Sequence, residues 1–96
     1  MNNNKLLYSE CVRIYNVNES FIESLCESGL VHVYCDKNER FVIYDDLADL
    51  EQFVRWHSDM DINVPGIEAL HHLLKRMHAL QAEMEELRNE LRFYRQ

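Results

Sequence analysis

The feature that most restricts this chain is its last third. After Asn63–Val64–Pro65, where asparagine can cap a helix and proline can occupy its first turn, no breaker stops the run before Gln96. Its apolar residues recur every seven positions in two sets, Leu70, Met77, Met84, Leu91 and Leu73, Leu80, Leu87, Tyr94. Spacing that alternates three and four is the a/d seam of a coiled coil. Roughly 33 helical residues would span about 50 Å, too long to lie along a domain of this size. Ile67 and Leu74 widen the stripe early, so residues 64–76 are expected to pack on the rest of the chain. Residues 77–94 keep the strict two-stranded pattern and predict a homodimer. In a parallel pair Glu83 would face Arg88 and Glu90 would face Arg95 across the seam. In an antiparallel pair centred near Glu83, Arg76 would face Glu90. Exposed pairs contribute about 0–1 kcal/mol each, so orientation stays open.

The remainder reads as one small domain, residues 5–60, ahead of a dimerisation helix, residues 63–96. Two glycines and one proline in 96 residues disfavour a turn-rich β fold. In "SECVRIY" Cys11, Val12 and Tyr15 have helical spacing, with Ser9 as the expected N-cap. After Asn16–Asn18 comes a second helix with Phe21, Ile22, Leu25 and Cys26 inward and Gly29 as its stop. Two short helices across a tight turn form a helix-turn-helix unit. "VHVYC" (31–35) and "RFVIY" (40–44) then predict a β-hairpin wing across Asp36–Glu39. Asp45 or Asp46 caps a third helix carrying Leu47, Leu50, Phe53, Val54 and Trp56, which ends near 58–61; Trp56 is expected to anchor it against the long helix. The fold class is therefore mostly α: a winged helix-turn-helix with a small hairpin wing and a long coiled-coil helix.

Charge separates the functional classes. Residues 1–61 carry five basic and twelve acidic side chains, and the remaining residues balance, so the net charge of −7 lies entirely in the first part. Glu19, Glu23 and Glu27 recur every four positions on the second helix and share a face. Base edges are read by arginine, lysine, asparagine or glutamine; between Val17 and Leu30 only Asn18 qualifies, and its place is that of a cap. Lys37 and Arg40 on the wing could touch phosphate, but two contacts bring little affinity for DNA. With Asp45, Asp46 and Asp49 the three glutamates are the candidate docking surface for a basic protein.

No nucleophile elbow, phosphate loop or metal triad is present, and the adjacent Asp45–Asp46 pair suits capping better than acid–base catalysis. His71, His72 and His78 lack the i,i+4 spacing of a zinc helix, and Cys11, Cys26 and Cys35 fall on separate elements. No enzyme activity, metal or cofactor is expected. The odd cysteine count and the polar "MNNNKLL" segment predict reduced thiols, no membrane segment and a cytoplasmic location.

The order of these elements, with "ESGLV" and "FVIYDDLADL" at the joints, resembles the MerR-type winged-helix family. "SECVRIYNVNESFIESLCESGLV" and "RWHSDMDINVPGIEALHHLLKRMHALQAEMEELRNELRFY" are similar, more narrowly, to the chaperone-modulator (CbpM-type) proteins within it. That resemblance implies a non-catalytic regulator that binds the basic J-domain of a DnaJ-like, CbpA-type co-chaperone and restrains its action on Hsp70. It supplies no contact residues, so the acidic positions named above rest on charge and exposure alone. The alternative is a MerR-type DNA-binding transcriptional regulator, with the same fold and a different partner.

Overall fold

The computed structural model describes residues 4–95, so the final residue of the expected 63–96 helix lies outside them. The elements run β1 (Lys5–Leu7), α1 (Tyr8–Tyr15), α2 (Glu19–Glu27), β2 (His32–Asp36), β3 (Glu39–Ile43), α3 (Leu47–Met60) and α4 (Val64–Arg95). The fold is mostly helical, with a small antiparallel sheet and a long C-terminal helix, as expected of a winged helix-turn-helix.

The wing is larger than a hairpin alone. The hairpin is there, shifted by about one residue from the expected bounds, but it belongs to a three-stranded sheet of order β1-β3-β2. Lys5–Leu7 pairs antiparallel with β3, Leu6 opposite Val42. Three residues give too short a pattern for periodicity to reveal, so only pairing makes this segment a strand. Lys37 and Asn38 both hold positive φ, 52° and 67°, which is the two-residue turn whose twist matches a hairpin.

Helix boundaries follow local chemistry. Helix α1 starts one residue ahead of the expected Ser9 cap, at Tyr8, with Leu7 in the capping position and no side-chain cap. Ser9 is an exposed residue inside the helix, not its N-cap, because β1 runs straight into α1 and leaves no turn for it. At the end of α2 the Gly29 N–H donates to the Cys26 carbonyl and the Leu30 N–H to the Leu25 carbonyl, both at 3.0 Å. That is a Schellman closure, and Gly29 at φ 85° takes the left-handed position it needs. Asp46 caps α3 by accepting from the Ala48 N–H at 2.9 Å, and Asn63 Oδ1 accepts from the Gly66 N–H at the head of α4, also at 2.9 Å.

The core gathers one face of each element: Tyr8 and Cys11 of α1, Phe21, Ile22 and Leu25 of α2, Val42 of β3, Leu50, Phe53 and Trp56 of α3, and Ile67 of α4. Leu70 and Leu74 pack partly against it. From Lys75 to Arg95 every residue is exposed. The long helix therefore leaves the body one turn after Leu70, and the chain is 63 Å long against 34 and 20 Å in its other extents.

Candidate functional site

Helix α2 sits where a reading helix would sit, and its surroundings are now specific. Glu19 opens it, where a carboxylate is favoured by the helix dipole. Its Oε1 lies 3.8 Å from Nη2 of Arg40 on β3. The Arg40 guanidinium lies over the Tyr8 ring at 3.9 Å, and the Tyr8 hydroxyl donates to the Glu19 carbonyl at 3.2 Å. Burial, and next the Glu23 carboxylate, raise the Tyr8 pKa above its ordinary value; Arg40 opposes them. The wing arginine that sequence offers to phosphate is thus folded against α1 and α2. Glu23 and Glu27 remain exposed.

The six acidic residues grouped by sequence do not line one groove. Glu19 borders a groove with Tyr8, Asn38 and Arg40. Glu27 borders another, between α2 and the start of α4. Asp49 borders a third, between α3 and α4, with Phe53, Trp56, His71, Leu74 and Lys75. Asp46 is engaged as the cap of α3. Burial, and next Lys75, lower the His71 pKa, with Asp49 and Asp45 acting against them. The aspartates therefore act towards α4 as well as towards solvent, which charge counting along the sequence cannot distinguish.

The groove between α2 and α4 escaped the sequence reading. Phe21 forms its floor, stacked on His57 with ring centroids 4.2 Å apart and planes at 17°. His57 of α3 approaches the Ile62 carbonyl through Nδ1 at 3.4 Å. Val64, Pro65 and Glu68 of α4 complete the far side. Asn63–Val64–Pro65 was legible as a helix start, but not as a wall.

The seam positions stand out in the other direction. Leu73, Met77, Leu80, Met84, Leu87, Leu91 and Tyr94 are exposed by 45–80% and Phe93 by 72%, while Leu70 is half-buried against the core. So large an apolar row in water is out of keeping with an isolated surface helix. Trp56 is buried, with its ring 6.4 Å from Phe53. Cys11 is fully buried, Cys26 half-buried and Cys35 exposed on the wing; burial pushes the Cys11 thiol up to about 11. Among the described residues no three His, Cys, Asp or Glu side chains are grouped to hold a metal ion. No described helix is long and apolar enough to cross a membrane.

A helix-turn-helix, a sheet wing and a protruding helix with an apolar seam define a winged-helix regulator. The profile of the MerR HTH family of regulatory proteins matches residues 6–89, and the chain belongs to that family. No curated protein and no solved structure matches the chain.

Proposed function

We propose that this chain is a non-catalytic regulator of the chaperone-modulator kind, docking on the basic J-domain of a DnaJ-like, CbpA-type co-chaperone so that Hsp70 cannot be engaged productively. The supporting observation is the character of α2. It has the position of a reading helix, carries Glu19, Glu23 and Glu27, and has its one neighbouring wing arginine occupied by Tyr8 and Glu19. Such a surface repels a phosphate backbone and favours a basic protein. In this reading the 63–96 helix joins two copies through the seam from Leu70 to Tyr94, and the 5–60 domain with Glu19, Glu23, Glu27, Asp45, Asp46 and Asp49 meets the partner. Calorimetry with an isolated J-domain tests it: saturable binding that weakens with salt is expected, and no binding at low salt overturns it.

The family match favours a second reading, a DNA-binding regulator of the MerR type. A gel shift against random duplex at low salt separates the two. A shift without J-domain binding selects DNA.

A further inference from the structure

The groove between α2 and α4 has a volume of about 540 Å³ and three helices contribute to it. Phe21, stacked on His57, lines it with Val64 and Pro65, and the small polar side chains of Ser20, Ser24 and Ser28 border them. Glu27, in the last turn of α2, and Glu68, in the second turn of α4, put carboxylates on its two walls. No lysine or arginine lines it, and among the described residues neither glutamate has a basic partner within 4.0 Å. Glu27 also stands at the wrong end of its helix. The C-terminus of α2 is its negative pole, where cations are favoured, and its last turn has no basic residue. Glu27 therefore adds negative charge to a pole that no basic residue of α2 offsets, whereas Glu68 lies near the positive pole of α4.

We propose that this groove receives an arginine or lysine side chain carried on a basic segment of a protein partner. The aliphatic stem would lie on Phe21, Val64 and Pro65, as long basic side chains do on apolar surface, and the cationic head would reach Glu27 and Glu68. A metal ion is a poorer occupant, since among the described residues no group of three His, Cys, Asp or Glu is placed to hold one, and a phosphate chain would be repelled. The inference deepens the proposed function and rests on its reading of a basic protein partner.

Two measurements test it separately. In the first, Nα-acetyl-arginine amide is titrated into the full chain at high millimolar concentration, followed by backbone amide NMR, with the neutral citrulline analogue as control. Shifts at Ser24, Glu27 and Glu68 with arginine alone, lost in the Glu27→Gln/Glu68→Gln variant, are expected. No shifts, or equal shifts with citrulline, overturn the groove. In the second, J-domain affinity is compared between the wild-type chain, that double variant, and Ser24→Phe, which fills the groove without changing charge. Losing one member of a charge pair desolvated in the complex lowers affinity by about tenfold or more; that loss is expected in the double variant, and a comparable one in Ser24→Phe because the occupant's side chain is shut out. Undiminished binding overturns the groove and leaves the proposed function standing. If the wild-type chain does not bind a J-domain, the proposed function falls and the arginine titration alone decides the groove. A low-salt shift of duplex DNA that Ser24→Phe removes overturns the basic occupant.

Discussion

The guanidinium of Arg40 lies 3.9 Å from the centre of the Tyr8 ring, and its Nη2 lies 3.8 Å from the Glu19 carboxylate. One side chain of β3 thereby links the sheet to α1 and to the first turn of α2. The ion pair is open to solvent and contributes little alone, whereas a cation over an aromatic face adds about 0.5–1 kcal/mol or more. Arg40→Ala is expected to lose about 1 kcal/mol, which lowers the melting temperature of a domain of this size by about 4–8 °C. Thermal unfolding checks it, and an unchanged midpoint would mean that Arg40 is free for another task, phosphate contact included.

Gly66 is tied to the entry of α4. A Cβ there would sit 2.8 Å from Ile62 Cγ2 and 3.2 Å from Asn63 Oδ1, so it would collide with the residues that set the cap. Alanine in a helix interior ordinarily gains about 1 kcal/mol over glycine. Here the Ile62 methyl is attached directly to Cβ and cannot swing away like the tip of a long side chain. Gly66→Ala is therefore expected to destabilise, and Asn63→Ala to cost about 1 kcal/mol through loss of its bond to the Gly66 N–H. Urea midpoints measure both. A more stable Gly66→Ala protein would show that the approach relaxes freely.

Much of this architecture is legible in the residues themselves. Gly29, the Asp45–Asp46 pair and Asn63 announce helix ends, and the structure uses Gly29, Asp46 and Asn63 in that way. The change from a wide to a narrow apolar stripe after Leu74 marks where α4 leaves the body. What is not legible depends on contacts distant in sequence. Lys5–Leu7 is a strand because β3 lies beside it. Arg40 reads as a free wing cation until Tyr8 and Glu19 are placed beside it. The groove floor needs Phe21, His57 and Pro65 together, and no spacing rule joins three helices. Grouping Glu19 with Asp49 by charge failed to anticipate that they border separate grooves.

Acid should loosen the contact between α3 and α4. His71 packs edge-on against Phe53, with centroids 5.0 Å apart, and its pKa is lowered from 6.5 by burial, then by Lys75 and to a lesser degree His72; Asp49 and Asp45 oppose this. A depressed pKa means that the folded state prefers the neutral ring. Its contribution is complete above pH 6.5 and is lost as pH falls below that value towards the folded-state pKa, because the unfolded chain takes up the proton first. Unfolding midpoints should therefore fall between pH 7.5 and 5.5 by more in wild type than in His71→Phe. Parallel pH profiles would remove His71 as the cause.

Thiol reactivity should follow burial. The thiolate is the nucleophile, and a Cys11 pKa of about 11 against an ordinary 9.0 leaves it scarcely ionised at neutral pH as well as shielded. Alkylation followed by mass spectrometry is expected to label exposed Cys35 first, half-buried Cys26 more slowly, and Cys11 only on unfolding. Early labelling of Cys11 would indicate that α1 opens readily.

The projecting half of α4 gives the most direct test of assembly. Residues 75–95 are all exposed in a single chain, and in proteins most helical stability comes from packing of an apolar face rather than from propensity. Covering a leucine brings about 1.5–3 kcal/mol, so pairing two seams both hides the row and stabilises the helix. Sedimentation should give a dimer for wild type and a monomer with less helical circular dichroism for Leu80→Glu/Leu87→Glu. A wild-type monomer that stays fully helical would overturn the proposed dimer. Orientation follows from one further substitution, Glu83→Cys in a Cys35→Ser background. An antiparallel pair centred near Glu83 brings the two new thiols together, and oxidation should link the subunits. In a parallel pair position 83 faces position 88 across the seam, so the same oxidation should leave the subunits unlinked.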